Sequence, residues 1–356
     1  MTSTRTLSSL LALLALLAGS CGSARPSGIP VRYDTADVPA AVEQARAELA
    51  GGESENAMWR MRIASEASGL TPEVRAEVQT LLERSAETRI AELSAPGSDP
   101  GDLEDMLDFE LPRQIAVTAG MRAAQLLFEE GERRKSYRLL KRLDNQYPHH
   151  HERPAAGRLL AEIGFDFAGD PGRYGFFFTF RGLAPEVLEY LVLNYPTEPR
   201  GDRAYWTLAE IYEEDLDHAL AIEKHEDLTL WYPASDYVPA SEARIPHLRL
   251  AALGSPEYDR YELDKTRAEL EEWVSGHPRN ELRPEVETDL VDCLQRLADS
   301  DLLIARFYDK VKNSEGAEYH ARRALEEAKD GGNEAQAAEA ERLLASILSE
   351  REAGSQ

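Results

Sequence analysis

The 356-residue chain is short of cysteine, of basic residues and of long apolar runs. Its two cysteines, Cys21 and Cys293, form no paired metal-binding motif and no disulfide framework. Outside the N-terminal segment no apolar run reaches the roughly 18 residues a spanning helix needs. Lys and Arg total 40 against 65 Asp and Glu, a net charge of −25. A field of that sign opposes nucleic acid and anionic lipid heads, which need basic patches, and favours basic partners. The chain also lacks a phosphate-cradling glycine loop and a nucleophile elbow. Few segments alternate apolar and polar residues, and Glu, Ala, Leu and Arg dominate, so an almost wholly helical fold is expected.

The chain opens on a greasy run that stops at a cysteine, LLALLALLAGSCGSARPSG, Leu10 to Gly28. Arg5 is the only charge in the first twenty residues, and the apolar core runs from about Leu7 to Ala18. Twelve helical residues cover only about 18 Å, short of a hydrocarbon core of about 30 Å. Residues 1–20 therefore read as a removable secretory signal. The four residues Ala18-Gly19-Ser20-Cys21 resemble the bacterial lipobox, with Ala18 where leucine is usual. That resemblance implies lipid attachment at Cys21 and a membrane contact through an acyl anchor; the other reading is an ordinary secretory signal. Residues 21–36, rich in Gly, Ser and Pro, read as a flexible leash. Gly22 does not carry the aspartate linked in some bacteria to inner-membrane retention. Cys293 lies in a helical pattern and reads as a small buried apolar residue.

The stretch RAYWTLAEIYEEDLDHALAIEKHEDLTLWYP, Arg203 to Pro233, organises the rest. Both halves follow a helical period, with Glu213-Glu214-Asp215 between them and Tyr232-Pro233 as the stop. Ala221 and Ala209 lie 12 and 24 residues before Pro233, where small side chains let two antiparallel helices approach. Before Tyr147-Pro148 the same offsets hold Ser136 and Ala124, with Gly131 at the turn; before His277-Pro278 they hold Thr266 and Gly254. Before Tyr195-Pro196 they hold Ala184 and Gly172, so that unit has a broken or displaced first helix. A last unit carries Ala305, Tyr308 and Ala317 without a closing proline. The X-Pro stops are spaced by 48, 37 and 45 residues. The pattern resembles degenerate tetratricopeptide repeats.

The order of these features resembles one family, the outer-membrane assembly lipoproteins called BamD or YfiO. The nearest stretch is LADSDLLIARFYDKVKNSEGAEYHARRAL, Leu297 to Leu325, which looks like that family's final repeat; ELDKTRAELEEWVSGHP, Glu262 to Pro278, looks like its fourth. The resemblance covers roughly Thr118 to Leu325 and leaves Val38 to Leu111 without a counterpart. It implies a curved solenoid that binds proteins and does no chemistry. Its later repeats would dock on a BamA-like barrel-inserting protein and its earlier ones would receive nascent outer-membrane proteins. It points to the inward face of each first helix: Trp206, Glu210 and Glu213 in the third unit, and Arg306, Asp309 and Lys310 in the last.

The run GRYGFFFTFRG packs Tyr174, Phe176, Phe177, Phe178 and Phe180 into seven residues. It is either an aromatic groove for an extended apolar peptide or a plug for the broken repeat. His149, His150 and His151 read as a solvated loop, since consecutive residues rarely face one ion. No metal and no cofactor are expected.

The fold class expected is all-α: an α-solenoid of degenerate tetratricopeptide-like hairpins (113–330), preceded by a helical extension (37–112) and followed by a C-terminal helix (331–352). The function expected is that of a lipid-anchored scaffold without catalytic activity. It would face the periplasm from the outer membrane and serve β-barrel assembly. A general periplasmic adaptor and, further off, an envelope polysaccharide hydrolase are the rival readings.

Overall fold

The structure is a computed structural model that describes residues 25–174, 178–254 and 260–354. Cys21, the signal segment, Phe176, Phe177 and residues 255–259 lie outside the described residues. The fold is all-α and solenoid-like, each helix packing on the next within 38–146 and within 184–354. Among the described residues, no helix is long and apolar enough to cross a membrane. The chain divides into two compact units, up to Ile163 and from Gly164. That division falls inside the stretch 113–330 that the repeat pattern outlines as one array.

The first unit holds α1 (Val38–Ala50), α2 (Ser54–Ala64), α3 (Pro72–Leu93), α4 (Pro100–Asp105), α5 (Arg113–Glu129), α6 (Arg133–Gln146) and the start of α7 (Arg153–Gly169). Proline in the first turn of α1, α3 and α4 suits positions whose N–H has no partner inside the helix. Helices α1, α2 and α3 pack on one another around Val38, Ala45, Met61 and Leu82, and α5 pairs with α6 around Ala116, Leu140 and Leu143. The residues from Arg25 to Thr35 are docked rather than free. Ile29 is buried, and Arg60 donates to the Tyr33 hydroxyl at 2.6 Å while its other nitrogens hold Glu48. The histidine loop is also not solvated throughout. The His150 side chain is fully buried, with Nε2 3.2 Å from Asp144 Oδ1, an oxygen that also accepts from Arg153 at 3.0 Å. This carboxylate folds the loop back between α6 and α7, a pairing that composition does not reveal.

The second unit continues from α7 through a two-stranded antiparallel ribbon, β1 (Arg173–Tyr174) and β2 (Phe178–Thr179), to α8 (Ala184–Asn194). Then follow α9 (Gly201–Glu214), α10 (His218–Trp231), α11 (Val238–Ala252), α12 (Arg260–Gly276), α13 (Arg283–Lys310), α14 (Ser314–Asp330) and α15 (Glu334–Gly354). From α8 onward each helix packs on the next, and α11 also packs on α13 and α13 on α15. First helices of successive hairpins thus touch, as in stacked repeats. The ribbon explains the aberrant unit, since the first helix before Tyr195-Pro196 is displaced upstream as α7.

The repeat anchors are where the hairpins close. Ser136 and Ala124, Ala221 and Ala209, and Ala317 and Ala305, each pair 12 residues apart, are fully buried. Ser136 Oγ donates to the Ala124 carbonyl at 2.7 Å, the distance a larger side chain would prevent. Proline bars its preceding residue from the helical region, and the consequence repeats in the backbone. Tyr147, Tyr195 and Tyr232 have φ/ψ of −129/63°, −128/57° and −128/57°. In each, the tyrosine N–H closes on the residue four back, the buried Leu143, Leu191 or Leu228. The last unit differs from its expected outline. No helix begins near Leu297; α13 runs unbroken for 28 residues, packing on α12 with Val286, Cys293 and Leu297 and on α14 with Ala305. Cys293 is fully buried, its thiol 3.4 Å from the Leu263 carbonyl and pushed up to about 12 by burial.

Candidate functional site: the first helices of the second unit

Helices α9, α11 and α13 carry their polar residues at helical spacing on the side where they meet. On α9 this row is Trp206, Glu210 and Glu213; on α11 it continues as Arg244 and His247, and on α13 as Glu285 and Asp289. Glu213 is the centre. One oxygen lies 3.0 Å from His225 Nε2 on α10, and Arg244 donates to both. Burial alone would raise the Glu213 carboxyl, but the hydrogen bonds from His225 and Arg244, with their charge, outweigh it and hold it below the ordinary value. Next along the row, the His247 imidazole sits 3.0 Å from Asp289 Oδ2. The hydrogen bond to Asp289 raises the His247 value against the opposing effect of burial. Between α11 and α13 lies a cavity of about 250 Å³, lined by Arg244, His247, Leu282, Glu285 and Asp289 among others.

Trp206 stacks on Tyr237, ring centroids 5.2 Å apart, and meets the His225 ring edge-on at 5.3 Å. The structure therefore gives Trp206 and Glu213 to packing within the unit. Sequence spacing put them on one face but could not reveal Arg244, which arrives from 31 residues away. Glu210 alone of the three is exposed.

His225 also joins Glu213 to a hydroxyl: its Nδ1 lies 3.1 Å from Ser241 Oγ. Serine, histidine and carboxylate in line is the layout of an activated nucleophile. Here, however, Ser241 and His225 are both fully buried, so the hydroxyl has no open side for a substrate. The chain of three acts as a polar tie between α9, α10 and α11.

On the last hairpin, Arg306 pairs with Glu339 of α15, so it too is engaged inside the unit. Asp309 is half-buried and Lys310 exposed. Beside them an apolar stripe is open to solvent, four residues apart: Leu303 and Phe307 on α13 and Val311 at its C-cap, with Phe307 60% exposed. Sequence reasoning selected charged residues on this helix and passed over the stripe, although its spacing was readable.

The aromatic run divides. Tyr174 and Phe178 are opposed in the ribbon, and Phe180 stacks on Phe167 with the ring planes 8° apart, Phe167 being buried. Among the described residues no group of three or more His, Cys, Asp or Glu is arranged to hold a metal ion.

These features define an all-α protein of stacked helical hairpins. No family model and no curated protein matches the chain. Among solved structures it is similar to a protein described as a circular tandem repeat protein with novel repeat topology and enhanced subunit contact surfaces. The match is 14% identical with a TM-score of 0.21, covering 88% of this chain and 75% of that one. So low a score carries no argument about the fold, which rests on the helix pairing above.

Proposed function

We propose that the chain is a lipid-anchored envelope scaffold, tethered at Cys21, that binds proteins through its hairpins and serves outer-membrane β-barrel assembly without chemistry of its own. The observation that carries this reading is the exposed stripe Leu303, Phe307 and Val311 at the C-terminal end of α13. It lies within Leu297 to Leu325, the stretch that resembles the final repeat of BamD. Aromatic and aliphatic side chains left open along one helix face are what a partner's apolar surface covers. Lys310, exposed beside the stripe, adds a positive charge at the helix C-terminus in an otherwise acidic protein.

The test is a mild-detergent pull-down from native membranes, comparing wild type with Phe307→Asp. Arg306→Glu is the poorer variant because it also breaks the pair with Glu339. Recovery of a barrel-inserting outer-membrane protein with wild type, and its loss with Phe307→Asp, supports the assembly role. Recovery of wall enzymes or transporter subunits instead replaces it with the second reading, a general periplasmic adaptor. That second reading is favoured by the buried helices from Val38 to Leu111, which lie outside the BamD-like stretch.

A further inference from the structure

Helix α14 packs with an unusually small-residued face: Ala317, Ala321, Ala324 and Ala328 are its buried apolar side chains, and the fifth buried position is Glu327. Alanine removes little apolar area from water, so this helix owes less of its docking to burial than its neighbours do. What stands beside the alanines is a buried ionic cluster spanning three helices. From α12, Arg260 reaches Asp301 Oδ2 on α13 at 2.7 Å and Glu327 Oε1 at 2.9 Å. From α14, Arg323 approaches the same two carboxyls, each at 3.4 Å, and Asp264 of α12 at 3.5 Å. His320 Nδ1 lies 2.5 Å from Asp301 Oδ1, with the imidazole stacked on Tyr308.

The donors do not reach every carboxyl oxygen at this depth. Asp301 is fully buried and Glu327 4% exposed; Glu327 Oε2 is buried without a hydrogen-bond donor among the described residues, while Asp301 Oδ2 lies against Arg260 without an aligned hydrogen bond from it. A carboxylate in that position pays its desolvation without compensation, whereas a carboxylic acid supplies the missing O–H donor itself.

We infer that Asp301 and Glu327 share one proton between their carboxyls, and that this proton latches α14 onto α12 and α13, so that the last hairpin loosens when the proton is lost. The groups facing the pair are Arg260 and Asp264 from α12 and His320 and Arg323 from α14; the ion pairs of α15 run to other residues. Burial first, and then the neighbouring Asp301, push the Glu327 carboxyl up to about 7. A carboxyl raised on folding favours the folded state most at low pH. Its contribution falls as pH climbs from the unfolded value toward the folded one and is gone above it. One proton corresponds to about tenfold in the opening equilibrium per pH unit across that window.

The experiment is amide hydrogen exchange on the full chain in detergent between pH 5.5 and 8.5, corrected for intrinsic exchange, with α3 as internal reference. In wild type, protection of α14 relative to α3 should fall about tenfold per pH unit up to about pH 7 and then level. Glu327→Gln, which keeps the shape and supplies a permanent donor, should make the profile flat, while His320→Asn should keep its slope. A wild-type α14 profile independent of pH, or a slope that survives Glu327→Gln or vanishes only with His320→Asn, overturns the proposal. Should Glu327→Gln misfold, infrared spectra of the wild-type chain with isotope-labelled glutamate still decide it. A glutamic acid C=O band present at pH 6 and lost by pH 8 supports the shared proton, and its absence at pH 6 refutes it.

Discussion

Two buried carboxylate clusters in the second unit answer the same problem in opposite ways. Glu213 sits alone between two cationic or donor groups, His225 and Arg244, and stays ionised more readily than in water. Glu327 shares Arg260 and Arg323 with Asp301 and Asp264, and is driven toward its neutral form. Burial acts against the charge in both. The number of carboxyls per donor decides which way the balance falls, and so which cluster is a permanent tie and which responds to protons.

The comparison breaks most visibly at Glu213. Glu213→Ala leaves the buried His225 and the part-exposed Arg244 facing no carboxylate; because solvent reaches Arg244, the cost falls below that of a fully buried pair, to about 2 kcal/mol. Urea denaturation near neutral pH should show the loss; a change well under 1 kcal/mol would mean that solvent replaces the carboxylate and that the tie is weak. A smaller effect is expected at His247. Its value is raised by Asp289, so its contribution is full below about 6.5 and is lost as pH rises through the folded value. The urea midpoint of wild type should therefore fall further between pH 6 and pH 8 than that of His247→Gln. Because His247 is partly exposed, the difference will be modest, and equal slopes would remove the pair from the balance. This window lies higher than that of Glu327, which lets the two be separated.

The smallest effect lies in a turn. The hairpin turn between α9 and α10 holds Leu216 at φ 60°, where the α5–α6 turn holds Gly131 at φ 81°. Leu216 is 75% exposed, so its side chain contributes little packing to offset the left-handed backbone. Leu216→Gly should raise stability by about 0.5 kcal/mol, the strain relieved less the entropy glycine loses on folding. A loss in thermal unfolding would show that the leucine packs in solution.

Much of the helical pairing was legible because it rests on local rules. Ala209 with Ala221 and Ala124 with Ser136 are fixed by the need for close approach at a set spacing, and the three Tyr-Pro stops by proline's effect on the preceding backbone. The site was less legible. Trp206 and Glu213 are on the helix face that spacing assigned them, but Tyr237, His225 and Arg244 cover them. Arg306 is likewise taken by Glu339, whereas Phe307 stands open. A helical period says which residues share a face, not whether a neighbouring helix has already claimed it.

By itself the sequence determined the helices, the small-residue anchors, the proline stops and the surplus of acid, since each follows from chain-local sterics or from composition. Only the tertiary structure decided that His150 is buried on Asp144, that α13 serves two hairpins without a break, and that Asp301 and Glu327 meet between two arginines. These depend on which side chains and helices the packing brings together. Their energies come from depth and from the count of donors at that depth, which no stretch of sequence carries alone.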